Sequence, residues 1–208
     1  MNKFQILIFG ASSTHGNWDE QGGWVHRIRQ SVIQRVIAEP DKWKGHVFNL
    51  GVPGDTTSDL LRRMESEIKA RLFYPKTIIV VSIGTNDSRV MTIGEKSLVS
   101  SELFQNNQEQ IVRIAKTYTD TVFCVGLNPV DEKRTNPWDE KYSYLNERIK
   151  AFNAIVKNNS KKFAVPFIDI FSEFQSKNGG LLSDGLHPNT DGHKKIFELV
   201  WPYIDKLL

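Results

Sequence analysis

Five short runs rich in β-branched and aromatic residues, at 4–9, 46–50, 77–83, 121–127 and 163–168, recur roughly every 30 to 45 residues, and most are continuously apolar rather than alternating. Strands buried on both faces carry that pattern, because helices cover a parallel sheet on each side. Between the runs, apolar residues step at helical spacing. Trp24, Ile28, Val32 and Val36 form one such face; Leu60, Met64, Ile68 and Leu72 form a second. Phe104, Ile111, Ile114 and Tyr118 make a third, Leu145, Ile149, Phe152 and Val156 a fourth, and Ile196, Val200, Tyr203 and Leu207 a fifth. Strand followed by helix, five times over, predicts parallel strands joined by right-handed crossovers in a three-layer α/β/α architecture. With no internal repeat, low-complexity tract or linker-like break, residues 1–208 are expected to form one domain.

Composition narrows the partners. There are 27 Lys+Arg against 24 Asp+Glu, a net charge of only +3, and the two signs are interleaved. The sequence has no basic stripe with interleaved aromatics, which argues against a nucleic-acid partner. The densest basic pairs, Arg62-Arg63 and Lys161-Lys162, read as solvated helix faces. No apolar stretch approaches the roughly 18 residues that a membrane-spanning helix needs, so no integral membrane association is expected. The apolar segment after Met1 lacks the length and cleavage site of a secretion signal, making the cytoplasm the default compartment. Cys124, the single cysteine, lies within an apolar run and reads as a small buried hydrophobe, compatible with reducing surroundings.

In an open parallel sheet, ligands bind beyond the carboxyl ends of the strands. The residues following each run are therefore the informative ones. Gly10-Ala11-Ser12-Ser13-Thr14-His15-Gly16 follows the first, Gly51-Val52-Pro53-Gly54-Asp55-Thr56 the second, and Gly84-Thr85-Asn86-Asp87 the third. Beyond the fifth, after a short helix-like stretch, comes Asp184-Gly185-Leu186-His187-Pro188. Each block alone is ordinary: Ser12 would serve as a helix cap, Asn86-Asp87 as turn residues, Asp184 and His187 as a locally bonded loop. Together they hold a hydroxyl nucleophile, a base, a carboxylate to orient it and oxyanion donors, the parts of a serine acyl-transfer site. Two connections, Ser88 to Lys96 and Asn128 to Tyr142, are longer than packing requires and are candidate substrate-binding loops.

In order and approximate spacing, the four blocks resemble those of the SGNH (GDSL-like) hydrolases. Gly10-x-Ser12-x-Thr14-x-Gly16 is similar to the family's Gly-Asp-Ser-Leu-Thr-x-Gly, a register that selects Ser12 over Ser13. Asn49-Leu50-Gly51-Val52-Pro53-Gly54-Asp55-Thr56 resembles Asn-x-Gly-x-x-Gly-Asp-Thr, and Gly84-Thr85-Asn86-Asp87 matches Gly-x-Asn-Asp. Asp184-Gly185-Leu186-His187-Pro188-Asn189 matches Asp-x-x-His-Pro-Asn. The resemblance runs from residue 4 to about residue 200 and implies a flavodoxin-like fold with a five-stranded parallel sheet in the order 2-1-3-4-5. It also implies Ser12 as nucleophile, His187 as general base and Asp184 as its orienting carboxylate. The oxyanion hole would come from the backbone N–H groups of Ser12 and Gly54 and the Asn86 amide. The implied reaction is hydrolysis of a small-molecule carboxylic ester, with no metal and no cofactor.

The sequence departs from the family pattern at Ala11, where the family has Asp, and at Ser13, where Leu or Ile is usual. That departure leaves a second reading open, a degenerate domain that binds acylated or glycosidic ligands without turnover. With no amphipathic lid helix in the sequence, a small or short-chain acyl group is expected. The loop from Gly10 to Gly16 lacks the Gly-Lys-Ser/Thr ending of a phosphate loop. Asp184, His187, Asp191 and His193 suggest a metal cluster by type, but the family pattern puts Asp191-Gly192-His193 at a helix start.

Overall fold

The computed structural model describes residues 1–177 and 180–208. At its centre β1 (Asn2–Gly10), β2 (Trp43–Gly51), β3 (Lys76–Ser82), β5 (Val122–Val125) and β7 (Phe167–Ile168) form a wholly parallel sheet in the order 2-1-3-5-7. The remaining strands, β4 (Val90–Met91) and β6 (Tyr142–Ser143), make a separate antiparallel ribbon. Counting the strands of the large sheet alone, the order is the expected 2-1-3-4-5. The strand order reverses between β1 and β3, so the crevice of an open α/β sheet opens beyond Gly10 and Ser82.

Side chains alternate across the sheet and divide its strands between two cores. Leu7, Phe9, Ile79 and Val81 face α3 (Thr57–Lys69), α4 (Ser101–Tyr118) and α6 (Asn146–Lys162). Ile6, Ile8, Ile78 and Val80 face α2 (Gly23–Ala38) and α8 (Thr190–Asp205). Three short helices, α1 (Ser12–His15), α5 (Glu132–Thr135) and α7 (Phe171–Gln175), lie in connections. The helix starts follow local chemistry: Thr56 and Asp59 form a reciprocal capping box on α3, and the Asn189 side chain accepts from Gly192 N–H on α8. Among the described residues no helix is long and apolar enough to cross a membrane.

Two expectations need correcting. The fifth apolar run is mostly not strand: α6 continues to Lys162, Phe163 ends it and Ala164 turns to φ 52, leaving only Phe167–Ile168 to pair with β5. Leu72 and Leu207 lie beyond the ends of α3 and α8, and Leu72 is exposed.

Candidate active site

The first two sequence blocks meet at the carboxyl ends of β1 and β2. Gly10 is a glycine because a Cβ there would sit 2.0 Å from Thr14 Oγ1 and 2.5 Å from the Ser82 carbonyl, closing the tight entry into α1. The Asn49 amide donates to the carbonyls of Thr14 (2.9 Å) and His15 (3.2 Å), and Val52 N–H donates to the Gly10 carbonyl (3.1 Å). Arg63 adds a strap: Nε donates to Asp55 Oδ2 (2.8 Å), and Nη2 to the carbonyls of Leu50 (2.9 Å) and Gly10 (3.3 Å). The reading of Arg62-Arg63 as a solvated face therefore holds only for Arg62, whose side chain is 72% exposed against 19% for Arg63. Gly54 has φ +87 with open space where a Cβ would go, so it is the backbone conformation that calls for glycine there.

The third block places Asn86 at the start of a short 3₁₀ turn, Asn86–Ser88. Its Nδ2 donates to the Asp55 carbonyl (2.9 Å), while Tyr144 O–H donates to its Oδ1 (3.0 Å). The phenol thereby fixes which way round the amide lies and leaves a second Nδ2 proton for another acceptor. Asp87, fully buried, accepts from Thr57 N–H (3.0 Å) and Thr57 O–H (2.5 Å), and Asn107 in turn donates to Thr57 Oγ1 (2.9 Å). Burial pushes the Asp87 carboxyl up to about 6, against the Thr57 hydrogen bonds that favour its ionised form.

The fourth block crosses the crevice to meet the first. His187 Nε2 lies 3.0 Å from Ser12 Oγ, and His187 Nδ1 lies 2.7 Å from Asp184 Oδ2. Asp184 Oδ1 accepts from Leu186 N–H (2.9 Å) and His187 N–H (2.8 Å). Burial alone would raise the Asp184 carboxyl, but these bonds together with the imidazole outweigh it and hold it below its usual range. The Asn128 amide donates to the Leu186 carbonyl (3.1 Å) and Asp131 N–H to that of Gly185 (2.8 Å), tying the histidine loop to the connection after β5. Two indoles border the imidazole, Trp138 at a centroid distance of 6.0 Å and Trp18 at 6.2 Å, with Trp18 Nε1 3.1 Å from His187 Nδ1.

A cavity of about 30 Å³ adjoins this pair, lined by Ser12, Asn86 and His187 together with apolar Trp24, Leu127, Ile170, Leu186 and Ile196. Of the two candidate loops, the one from Asn128 to Tyr142 contributes Asn128 to the lining. The segment from Ser88 to Lys96 contributes no lining residue and instead carries β4, which pairs with β6. His193 is buried at the start of α8 with Nε2 3.1 Å from the Asn17 carbonyl, and burial pulls its imidazole below the usual value. Among the described residues, no three His, Cys, Asp or Glu side chains are grouped as metal ligands.

The model of the GDSL-like lipase/acylhydrolase family matches residues 8–195. The chain belongs to that family. It is accordingly a hydrolase acting on ester bonds. It is 24% identical to the uncharacterized lipoprotein YqeF of Bacillus subtilis, over 86% of this chain and 75% of that one. It is 22% identical to the human isoamyl acetate-hydrolyzing esterase 1 homolog, over 97% and 82%. Among solved structures, the lipase/acylhydrolase from Enterococcus faecalis superposes with a TM-score of 0.76 at 24% identity, covering 98% of this chain and 96% of that one. The GDSL-family blocks do not include Arg63, Tyr144, Trp18 or Trp138. Trp138 lies in the candidate loop from Asn128 to Tyr142; for the other three, sequence spacing carried no signal, because each reaches the site through tertiary packing.

Proposed function

We propose that this GDSL-family hydrolase cleaves short-chain carboxylic esters through Ser12, His187 and Asp184. The observation that carries this reading is the unbroken line from Ser12 Oγ through His187 to Asp184. An ionised Asp184 keeps the Nδ1 proton in place, so the Nε2 lone pair faces the serine. Nε2 takes the Ser12 proton as Oγ attacks the ester carbonyl, then gives it to the departing alcohol; water, deprotonated by the same nitrogen, releases the acid from the acyl-enzyme. The Ser12 and Gly54 N–H groups and the spare Asn86 Nδ2 proton are the oxyanion donors in this reading. The acyl group is short because a water already needs about 10–15 Å³, so 30 Å³ takes a methyl-sized group and not a long chain.

Ala11 does not favour the non-catalytic reading. The Arg63 strap holds the Gly10 carbonyl and Asp55 in place without a carboxylate at position 11. A p-nitrophenyl ester series from acetate to palmitate, run on the native chain, Ser12→Ala and Ser13→Ala, tests the proposal. Turnover falls by about 10⁴-fold or more in Ser12→Ala and stays within about 3-fold in Ser13→Ala, with acetate the best substrate. Equal loss in both variants would sink the nucleophile assignment, and a preference for palmitate would sink the short acyl group.

A further inference from the structure

The cavity beside Ser12 leaves the alcohol half of an ester no room on the acyl side. That half must leave past His187, which protonates its oxygen. We propose that Trp18 is the subsite for this alcohol and that it selects ring alcohols presenting an apolar face to the indole. The inference rests on the hydrolytic reading above and names the half of the substrate that reading leaves open.

Trp18 is held out into solvent deliberately. Its φ is +65, a left-handed conformation that a bulky aromatic residue rarely adopts, and its side chain is nevertheless 61% exposed. No gain in burial accounts for the strain. The residues on either side are pinned from within: buried His193 Nε2 holds the Asn17 carbonyl (3.1 Å). Asp19 accepts from Gln21 N–H (3.1 Å) and Gly23 N–H (3.0 Å) and pairs with Arg27. The outcome is an indole edge-on to the imidazole, with Nε1 3.1 Å from Nδ1. The indole N–H is directed at His187 Nδ1, so it is the exposed flat face of the indole, not its N–H, that is offered to the alcohol.

The flat face suits two sources of ring alcohol, an aromatic ring and the apolar face of a sugar. Steady-state kinetics on methyl acetate, 2-naphthyl acetate and an acetylated methyl xyloside, with the native chain, Trp18→Ala and Trp18→Phe, test both. In Trp18→Ala the kcat/KM ratio of each ring-alcohol acetate to methyl acetate falls about 3- to 10-fold, through KM, as loss of one stacking contact predicts. Trp18→Phe, which keeps a flat ring, restores both ratios; failure to restore them would overturn stacking on residue 18 as the basis of selection. An equal fall for all three esters in Trp18→Ala, carried by kcat, would make Trp18 a support for His187 and overturn the proposal, as would no change at all. Failure of the native chain to hydrolyse any of the three overturns the hydrolytic reading itself, a result separable from either.

Discussion

Two buried carboxylates flank the crevice, and they are held in opposite ways. On the histidine side, Asp19 is paired with Arg27 and also accepts two backbone N–H groups; although burial would raise it, these partners bring its carboxyl down to about 2. On the asparagine side, Asp87 is bonded by the neutral donors of Thr57 and feels the charge of Arg89 only as its weakest influence, and burial wins, leaving it at about 6. A directly bonded charge partner decides the sign where neutral hydrogen bonds do not. The loop carrying Trp18 is thus anchored ionically, and the turn carrying Asn86 is anchored by a group on the edge of protonation.

The largest effect comes from breaking the ionic anchor. Asp19→Asn leaves Arg27 buried without its counter-charge and should lower unfolding free energy by about 3–5 kcal/mol in urea denaturation. A loss under about 1 kcal/mol would mean that solvent reaches the pair and the contrast with Asp87 is overdrawn. Next comes the pH response. Asp87 has its folded-state value raised, so the folded form holds a proton that the unfolded form has lost, and stability falls as pH climbs from about 4 to 6. Asp19 is depressed, so its contribution is complete above about pH 4 and is lost only below that. Subtracting the stability of Asp87→Asn from that of the native chain at each pH should give a curve dropping by roughly 3 kcal/mol across pH 4 to 6. A flat difference curve would show that Thr57 keeps Asp87 ionised at no cost. The smallest effect sharpens the asparagine side: Tyr144→Phe frees Asn86 Oδ1 from its phenol and should lower kcat about 5-fold with KM unchanged, the scale of one net hydrogen bond. Unaltered kcat would remove Tyr144 from the support of the site.

Much of this was legible in the sequence. Continuous apolar runs mark strands buried on both faces, and the glycine turns after them locate the crevice. The four blocks bring Ser12, Gly54, Asn86, Asp184 and His187 to one edge of the sheet. What escaped reading depends on contacts between distant segments. Arg62 and Arg63 are neighbours with the same chemistry, and only the packing of α3 against the ends of β1 and β2 sends one to solvent and the other inward. Phe163 and Val165 are apolar enough for a strand, yet α6 claims the preceding turn and the left-handed Ala164 breaks the run. Tyr144 lies just beyond the candidate loop, placed by the β4–β6 ribbon, a pairing of two residues on each side that no periodicity announces.

The contact between Ser12 and His187 joins positions 175 residues apart, and the one between Asn17 and His193 spans 176. If Ser12 is the nucleophile and His187 its base, as proposed above, the serine waits unactivated until every residue between the two has been synthesised. Both contacts have the long sequence separation that slows folding, because most of the chain must be ordered before they can form. On that proposal, reactivity of Ser12 is a late folding event, and its appearance in a refolding reaction would time the closure of the topology between them.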